Sequence, residues 1–177
     1  MRFASIQLEN FLSYRTRQTI DFNPDENGIV IIEGQMGHGK SNLLNAFFWC
    51  LFDDLWLSDE GKFVHRPDGS EFNFFNRGAT KANSKEGKLI EASVAIAFRD
   101  DEGNNYNIVR THGAQYVRNT WIYDSNSQLT GEVKIESTGS TEDLDEETLL
   151  LLIEKYFPHA ISNYFLFRGE NRDELTK

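Results

Sequence analysis

Eight residues in the first quarter of the chain have the types and spacing of a phosphate-binding loop. Residues 34–41 read GQMGHGKS, which satisfies the G-x-x-x-x-G-K-[ST] pattern of the Walker A motif, or P-loop. Its glycines let backbone N–H groups wrap phosphates, because such a loop needs left-handed torsions and no side-chain obstruction. The pattern places a lysine ammonium between the β- and γ-phosphates of ATP and a serine hydroxyl on Mg²⁺. The predicted nucleotide-binding residues are Gly34, Gln35, Met36, Gly37, His38, Gly39, Lys40, Ser41 and Asn42, with Ser41 as the Mg²⁺ ligand.

A strand and a helix must hold this loop from its two sides. Residues 29–32 (IVII) form a short apolar run, which is typical of a strand covered on both faces. Residues 40–52 (KSNLLNAFFWCLF) are apolar nearly all round, which predicts a helix packed in the interior. The positive N-terminal end of that helix would point at the phosphates. The sequence therefore predicts strand, loop and helix in the order that nucleotide binding requires.

The remaining elements predict an α/β fold whose sheet is mixed or antiparallel. Alternation predicts strands at residues 4–8 and 16–22, and a hairpin formed by residues 89–98 and 106–109. Residues 100–104 (DDEGN) follow an apolar run as a Walker B acid would, but a hairpin turn explains them better. Short strands are expected at residues 120–123 and 133–135, and a helix from a capping start at residues 140–143 to the proline at 158. Residues 53–87 are expected to be irregular.

Composition indicates a single domain in a reducing compartment. The chain has 177 residues and one cysteine, so it has no internal disulfide, and we expect it in the cytoplasm with no membrane contact. With a net charge of −10, the surface as a whole is not expected to attract nucleic acid. Five of the six residues 142–147 are acidic, which favours a helix N-terminus and a solvated face. The four histidines show no metal-ligand spacing, so we expect no metal site of their own.

Four segments carry a resemblance to a known group of ATPases. They are residues 9–14 (ENFLSY), 40–46 (KSNLLNA), 76–79 (NRGA) and 163–170 (NYFLFRGE). The chain resembles the N-terminal half of an ABC-type ATPase head of the SMC/SbcC group. Within that group it looks most like the DNA-sulfur-modification ATPases called DndD. The resemblance implies that residues 1–177 form one ATP-binding lobe of a P-loop NTPase.

The same resemblance implies the parts that complete the machine. In this group a coiled coil follows the first lobe, and a C-terminal lobe supplies the signature motif and Walker B. Two heads then close on each other over two ATP molecules, and DNA and a nuclease are the expected partners in repair or in defence against foreign DNA. We assign no catalytic residue to this chain, and we expect the lobe alone to bind ATP with only a trace of turnover.

Two arginines are candidates for the nucleotide site through the resemblance alone. Arg168 stands where the group commonly has the glutamine of the Q-loop, and a cation cannot ligate Mg²⁺. Two alternative roles fit Arg168: contact with the γ-phosphate, or an ion pair with an acidic residue. Arg15 follows a segment where relatives bring basic groups near the nucleotide, and a solvated role fits it equally. A basic run contains four cations that suit either a DNA backbone or a solvated loop, namely Arg77, Lys81, Lys85 and Lys88.

Two other functions remain open from the sequence. A stand-alone P-loop kinase would fit the length of the chain, although strands precede the loop and no arginine-rich lid follows it. A non-catalytic lobe that binds nucleotide only for assembly would also carry this motif. Phosphoryl transfer to a small acceptor would identify the kinase, and ATP turnover on adding the second lobe would exclude the purely structural role.

Overall fold

A seven-stranded antiparallel sheet packs against a buried helix. The computed structural model describes residues 1–22, 32–33, 39–57, 61–67 and 74–161. The strands are β1 (Arg2–Glu9), β2 (Gln18–Asp21), β3 (Asp54–Leu57), β4 (Lys62–His65), β5 (Leu89–Arg99), β6 (Asn105–Val117), β7 (Thr120–Tyr123), β8 (Gln128–Lys134) and β9 (Thr141–Leu144). Seven of them form a sheet in the order β2-β1-β5-β6-β8-β9 with β7 also on β6, and β3 pairs with β4 separately. The predicted α/β class with an antiparallel sheet is confirmed.

Helix α1 (Lys40–Phe52) lies on the inner face of this sheet, against β5 and β6. Its apolar residues point in every direction, and the side chains from Phe47 to Leu51 are all buried. Trp49 is fully buried and stacks on Phe11 with 5.0 Å between ring centroids. Burial of such large aromatic rings contributes roughly 1.5–3 kcal/mol each to stability. The prediction of an interior helix after the P-loop is confirmed.

The predicted hairpin is confirmed as β5 and β6, although β6 extends to Val117, well beyond the predicted end at residue 109. Along β5 every second residue from Ile90 to Phe98 is buried, as expected for a strand with one face on the core. At its turn Asp100 accepts hydrogen bonds at Oδ1 from the backbone N–H groups of Glu102 and Asn104, both at 2.9 Å. Asp100 is therefore a turn residue, which confirms the hairpin rather than a Walker B strand.

The prediction that residues 53–87 are irregular is wrong. The hairpin of β3 and β4 lies there, with Leu55 paired to Val64, and so does the short helix α2 (Arg77–Ala82). Strands of four residues are too short to show a clear alternation, so tertiary packing rather than local pattern determines them. Asn76 caps α2, since its Oδ1 accepts from the N–H groups of Gly78 and Ala79.

The predicted helix start at residues 140–143 is also wrong. Residues 141–144 form β9, which pairs with β8, and α3 (Glu146–Tyr156) begins only after it. The N-cap is Asp145, whose Oδ1 accepts from the N–H of Thr148 at 2.8 Å. Several consecutive residues here have side chains that can cap a helix. Because residues 141–144 pair with β8, the helix begins after the last of these residues, Asp145. The acidic run is thus divided between an edge strand and the first turn of α3.

The predicted strand at residues 29–32 is not supported where it is described. Ile32 lies outside any strand and is 39% exposed, so its prediction as a covered strand residue is wrong, while residues 29–31 lie outside the described ranges. An apolar run favours a buried segment, but it does not determine the secondary structure or the exposure of each of its residues. Cys50 is buried as expected, and burial raises the pKa of its thiol to about 12. Among the described residues no helix has both the length and the apolar character that crossing a membrane requires.

Candidate functional site

The described end of the P-loop forms the start of α1. Gly39 is the N-cap of this helix at φ 86° and ψ 9°, a left-handed conformation that glycine adopts without a Cβ penalty. As a glycine, Gly39 has no side chain to cap the first amides of α1, and the first turn of this helix carries no acidic residue. These N–H groups, at the positive end of a 13-residue helix, are suited to bind an anion.

Residues 40–42 form the first turn of α1, where the motif requires them. Lys40 and Asn42 are half-buried, and Ser41 is exposed, so its hydroxyl is accessible to a metal ion bound with the phosphates. The left-handed glycine, the amides at the start of α1 and this hydroxyl together fit Mg²⁺-ATP. The predicted residues Gly34, Gln35, Met36, Gly37 and His38 lie outside the described residues, as does Arg168.

A tight turn between β1 and β2 adjoins the loop. In this 10–14 turn, Asn10 and Leu12 have left-handed backbones, with φ values of 51° and 46°. Neighbouring backbone fixes both residues. Asn10 Nδ2 donates to the carbonyl of Glu91 at 2.9 Å, and the N–H of Leu12 donates to the carbonyl of Phe74 at 2.6 Å. Left-handed non-glycine residues of this kind persist where the surroundings over-determine them, and they cluster at binding sites.

The turn presents two hydroxyl groups to the last glycine of the loop. The hydroxyl of Tyr14 donates to the carbonyl of Gly39 at 3.3 Å. A Cβ on Gly39 would lie 2.8 Å from Oγ of Ser13, so a larger residue would force the serine hydroxyl to move, while the φ of 86° itself favours glycine. Burial raises the pKa of Tyr14, which keeps its hydroxyl neutral. Sequence reasoning missed this contact, because neither the left-handed turn nor its distance from the loop has a signal in the residue pattern.

Arg15 lies beside α2. A Cβ on Gly78 would lie 3.4 Å from Cδ of Arg15, which places the arginine side chain at the start of that helix. Asn76 joins this helix to the 10–14 turn, since its Nδ2 donates to the carbonyl of Leu12 at 2.7 Å. The predicted contact of Arg15 with nucleotide stays a prediction.

Exposed cations gather around α2 and extend to the end of β6. The loop after α2 runs beside β6, since the N–H of Gly87 donates to the carbonyl of Tyr116 at 2.9 Å. This contact brings the loop close to Arg118, whose N–H donates to Glu86 at 3.0 Å. The basic surface, as we call it, consists of the exposed residues Arg15, Arg77, Lys81, Lys85, Lys88 and Arg118, with Glu86 among them.

A cavity of about 920 Å³, lined by both polar and apolar residues, lies at the other end of α1. There the buried carboxylate of Asp54 binds His65 Nδ1 at 2.9 Å through one oxygen and His159 Nε2 at 2.7 Å through the other. Beside it, the buried Asp53 contacts Arg110 Nη1 at 3.3 Å. In the part of the chain that the structure describes, no group of three or more histidine, cysteine or acidic residues is arranged to hold a metal ion.

Comparison with known proteins identifies a matching family and several relatives. Residues 5–177 match the AAA domain family. The chain is 32% identical over 110 residues to the DNA replication and repair protein RecF of Chlorobium phaeovibrioides, covering 61% of this chain and 26% of that protein. It is 33% identical over 101 residues to the chromosome partition protein Smc of Synechocystis, covering 56% of this chain and 7% of that protein. The chain thus spans about a quarter of the first relative's length and less than a tenth of the second's.

Proposed function

Because the chain belongs to the AAA domain family, we propose that it is the ATP-binding lobe of a DNA-associated ATPase related to RecF and Smc. One observation carries the proposal: the motif glycine Gly39 has a left-handed backbone and is the N-cap of α1, whose first turn carries no acidic residue. Lys40 supplies the positive charge for the phosphates, and Ser41 supplies the hydroxyl for Mg²⁺. Residues 1–177 act as a single lobe in this proposal.

The lobe binds ATP and depends on a second lobe to hydrolyse it. Hydrolysis by P-loop proteins needs a carboxylate that holds Mg²⁺ from a second side and a group that orients the attacking water. Asp100 is the acid whose sequence context is most like Walker B, but its carboxylate binds the amides of the hairpin turn. A C-terminal lobe and a head-to-head dimer would supply the missing groups. A DndD-like role with a nuclease partner, in repair or in defence against foreign DNA, is the finer form of this proposal.

Phosphate release measures whether the site is complete. The purified chain of residues 1–177 should release phosphate from ATP at a trace rate, with Lys40→Ala as the background. Steady turnover of about one per second or faster that disappears in Lys40→Ala would mean that the chain holds a whole ATPase site. In that case the proposal of a lobe that needs a partner would be wrong.

The basic surface is the part of the lobe that suits a DNA backbone. It contains six exposed cations with Glu86 among them, in a chain whose net charge is −10. Phosphate contacts release counterions from DNA, so affinity for such a surface falls with salt in proportion to the number of contacts. The surface also adjoins the nucleotide site through Asn76 and the 10–14 turn. We propose that DNA lies across it.

The salt dependence of DNA binding tests this surface. The variant Lys81→Ala/Lys85→Ala should weaken binding of duplex DNA of any sequence and reduce the slope of log K against log salt by about 1.8, at roughly 0.9 for each lost phosphate contact. Lys134→Ala is the matched control, since Lys134 is exposed and pairs with Asn105 at the opposite end of β6. Equal slopes for the wild type and the double variant would exclude this surface.

A further inference from the structure

The carbonyl oxygen of Gly39 is held from two sides. It accepts the first hydrogen bond of α1 from the N–H of Leu43 at 2.9 Å, and it accepts the hydroxyl of Tyr14 at 3.3 Å. The first bond belongs to the helix, whereas the second comes from the 10–14 turn, 25 residues earlier in the chain. Tyr14 therefore fixes the last peptide of the loop from outside the helix.

The direction of this carbonyl also sets the direction of an N–H group. Gly39 C=O and Lys40 N–H belong to one planar trans peptide, so they point in opposite directions. With the carbonyl directed toward Leu43 and Tyr14, the N–H of Lys40 is directed away from the helix body, toward the side on which an anion would bind. Any rotation of this peptide would turn the N–H away from a bound phosphate.

Tyr14 is itself fixed firmly enough to serve as a reference point. Its N–H donates to the carbonyl of Phe11 at 2.8 Å, and Phe11 is fully buried against Trp49. The N–H of Leu12 donates to the carbonyl of Phe74, which attaches the turn to the segment before α2. Burial raises the pKa of Tyr14, so the hydroxyl stays a donor at neutral pH.

We propose that Tyr14 is a positioning residue of the nucleotide site, whose hydroxyl holds the peptide between Gly39 and Lys40 in the orientation that binds phosphate. The inference rests on the proposed ATP-binding function and adds a residue that the P-loop motif does not contain. The contact is with the loop backbone, so it acts on the phosphates and is independent of the base of the nucleotide.

The test compares two tyrosine-to-phenylalanine variants by titration calorimetry. Tyr14→Phe keeps the ring and removes the hydroxyl, and Tyr116→Phe removes a hydroxyl that donates to Asn119 at an exposed turn. We expect Tyr14→Phe to raise the Kd for Mg²⁺-ATP about three- to tenfold, the usual effect of one neutral hydrogen bond. The Kd for Mg²⁺-tripolyphosphate should rise by the same factor. Tyr116→Phe should leave both values unchanged.

The remaining outcomes separate this inference from the proposed function. If Lys40→Ala abolishes ATP binding but Tyr14→Phe binds ATP like the wild type, the positioning role is wrong and the ATP site stands. If Tyr14→Phe loses affinity for ATP and not for tripolyphosphate, Tyr14 acts on the base and the inference is again wrong. A fall in binding stoichiometry at unchanged Kd would indicate partial unfolding and would also contradict a positioning role. If the wild type binds neither ligand, both proposals fail.

Discussion

Replacing Gly39 by alanine tests the geometry of the loop where it meets α1. At φ 86° an alanine adopts a left-handed backbone, which costs about 1–2 kcal/mol. Its Cβ would also lie 2.8 Å from Oγ of Ser13, closer than the 3.0 Å at which something must shift. The hydroxyl of Tyr14 is 3.5 Å from the same position, an ordinary contact. We therefore expect Gly39→Ala to destabilise the protein by at least about 1–2 kcal/mol and to weaken ATP binding.

A second substitution separates the two costs. Ser13→Ala removes the crowding oxygen, so Ser13→Ala/Gly39→Ala should recover the part of the loss due to the contact and retain the part due to the backbone. Urea unfolding followed by circular dichroism gives the free energies, and calorimetry gives the ATP affinity. At a right-handed position, Gly→Ala stabilises a protein by about 0.4–1 kcal/mol. A stabilised Gly39→Ala variant would therefore refute the left-handed conformation and the close approach of the 10–14 turn.

Three further predictions concern the framework around the site. Arg110→Met should lower the free energy of unfolding by about 3–5 kcal/mol in urea melts, because it leaves the buried Asp53 without its cation; a loss below about 1 kcal/mol would contradict this. Burial alone raises the pKa of Asp100, but hydrogen bonds from Asn104 and its neighbours outweigh it, so the pKa is lowered. The stability that this shift contributes is present above the unfolded pKa of about 3.9 and is lost as the pH falls through the folded pKa. The difference in the free energy of unfolding between the wild type and Asp100→Asn should therefore shrink in acid. A difference that grows in acid would contradict this role of Asp100. Asp145→Ala should cost about 1 kcal/mol of stability through loss of the N-cap of α3, measured by thermal unfolding, and no change would exclude the cap.

The elements that the sequence predicts well are those whose own residues determine them. Helix α1 is apolar on all sides and follows a motif that requires a helix, so the pattern and the chemistry agree. The hairpin of β5 and β6 has a strict alternation and a turn whose first residue, Asp100, binds the turn amides. In both cases the information is local, and tertiary packing only reinforces it.

The elements that the sequence misses depend on contacts between distant segments. The strands β3 and β4 are four residues each, and their pairing rather than their composition defines them. The sequence predicts too early a start for α3, because the residues before Asp145 are also good caps and the pairing of β9 with β8 is what rules them out. The contact of Tyr14 with Gly39 joins residues 25 apart, and the turn that carries Tyr14 depends on two left-handed residues, neither of which a residue pattern encodes.

Calorimetric titration of Mg²⁺-ATP into the wild type and into Lys40→Ala decides whether the start of α1 binds nucleotide. The wild type should bind one ATP. Lys40→Ala should lose affinity on the order of 100-fold, since the ammonium makes charge-assisted hydrogen bonds of roughly 1.5–3 kcal/mol each with the phosphates. The fold should survive, because Lys40 is the first residue of α1 and lies outside its buried part, and the control Lys134→Ala should bind like the wild type. Equal ATP affinity for Lys40→Ala and the wild type would contradict the assignment of the nucleotide site.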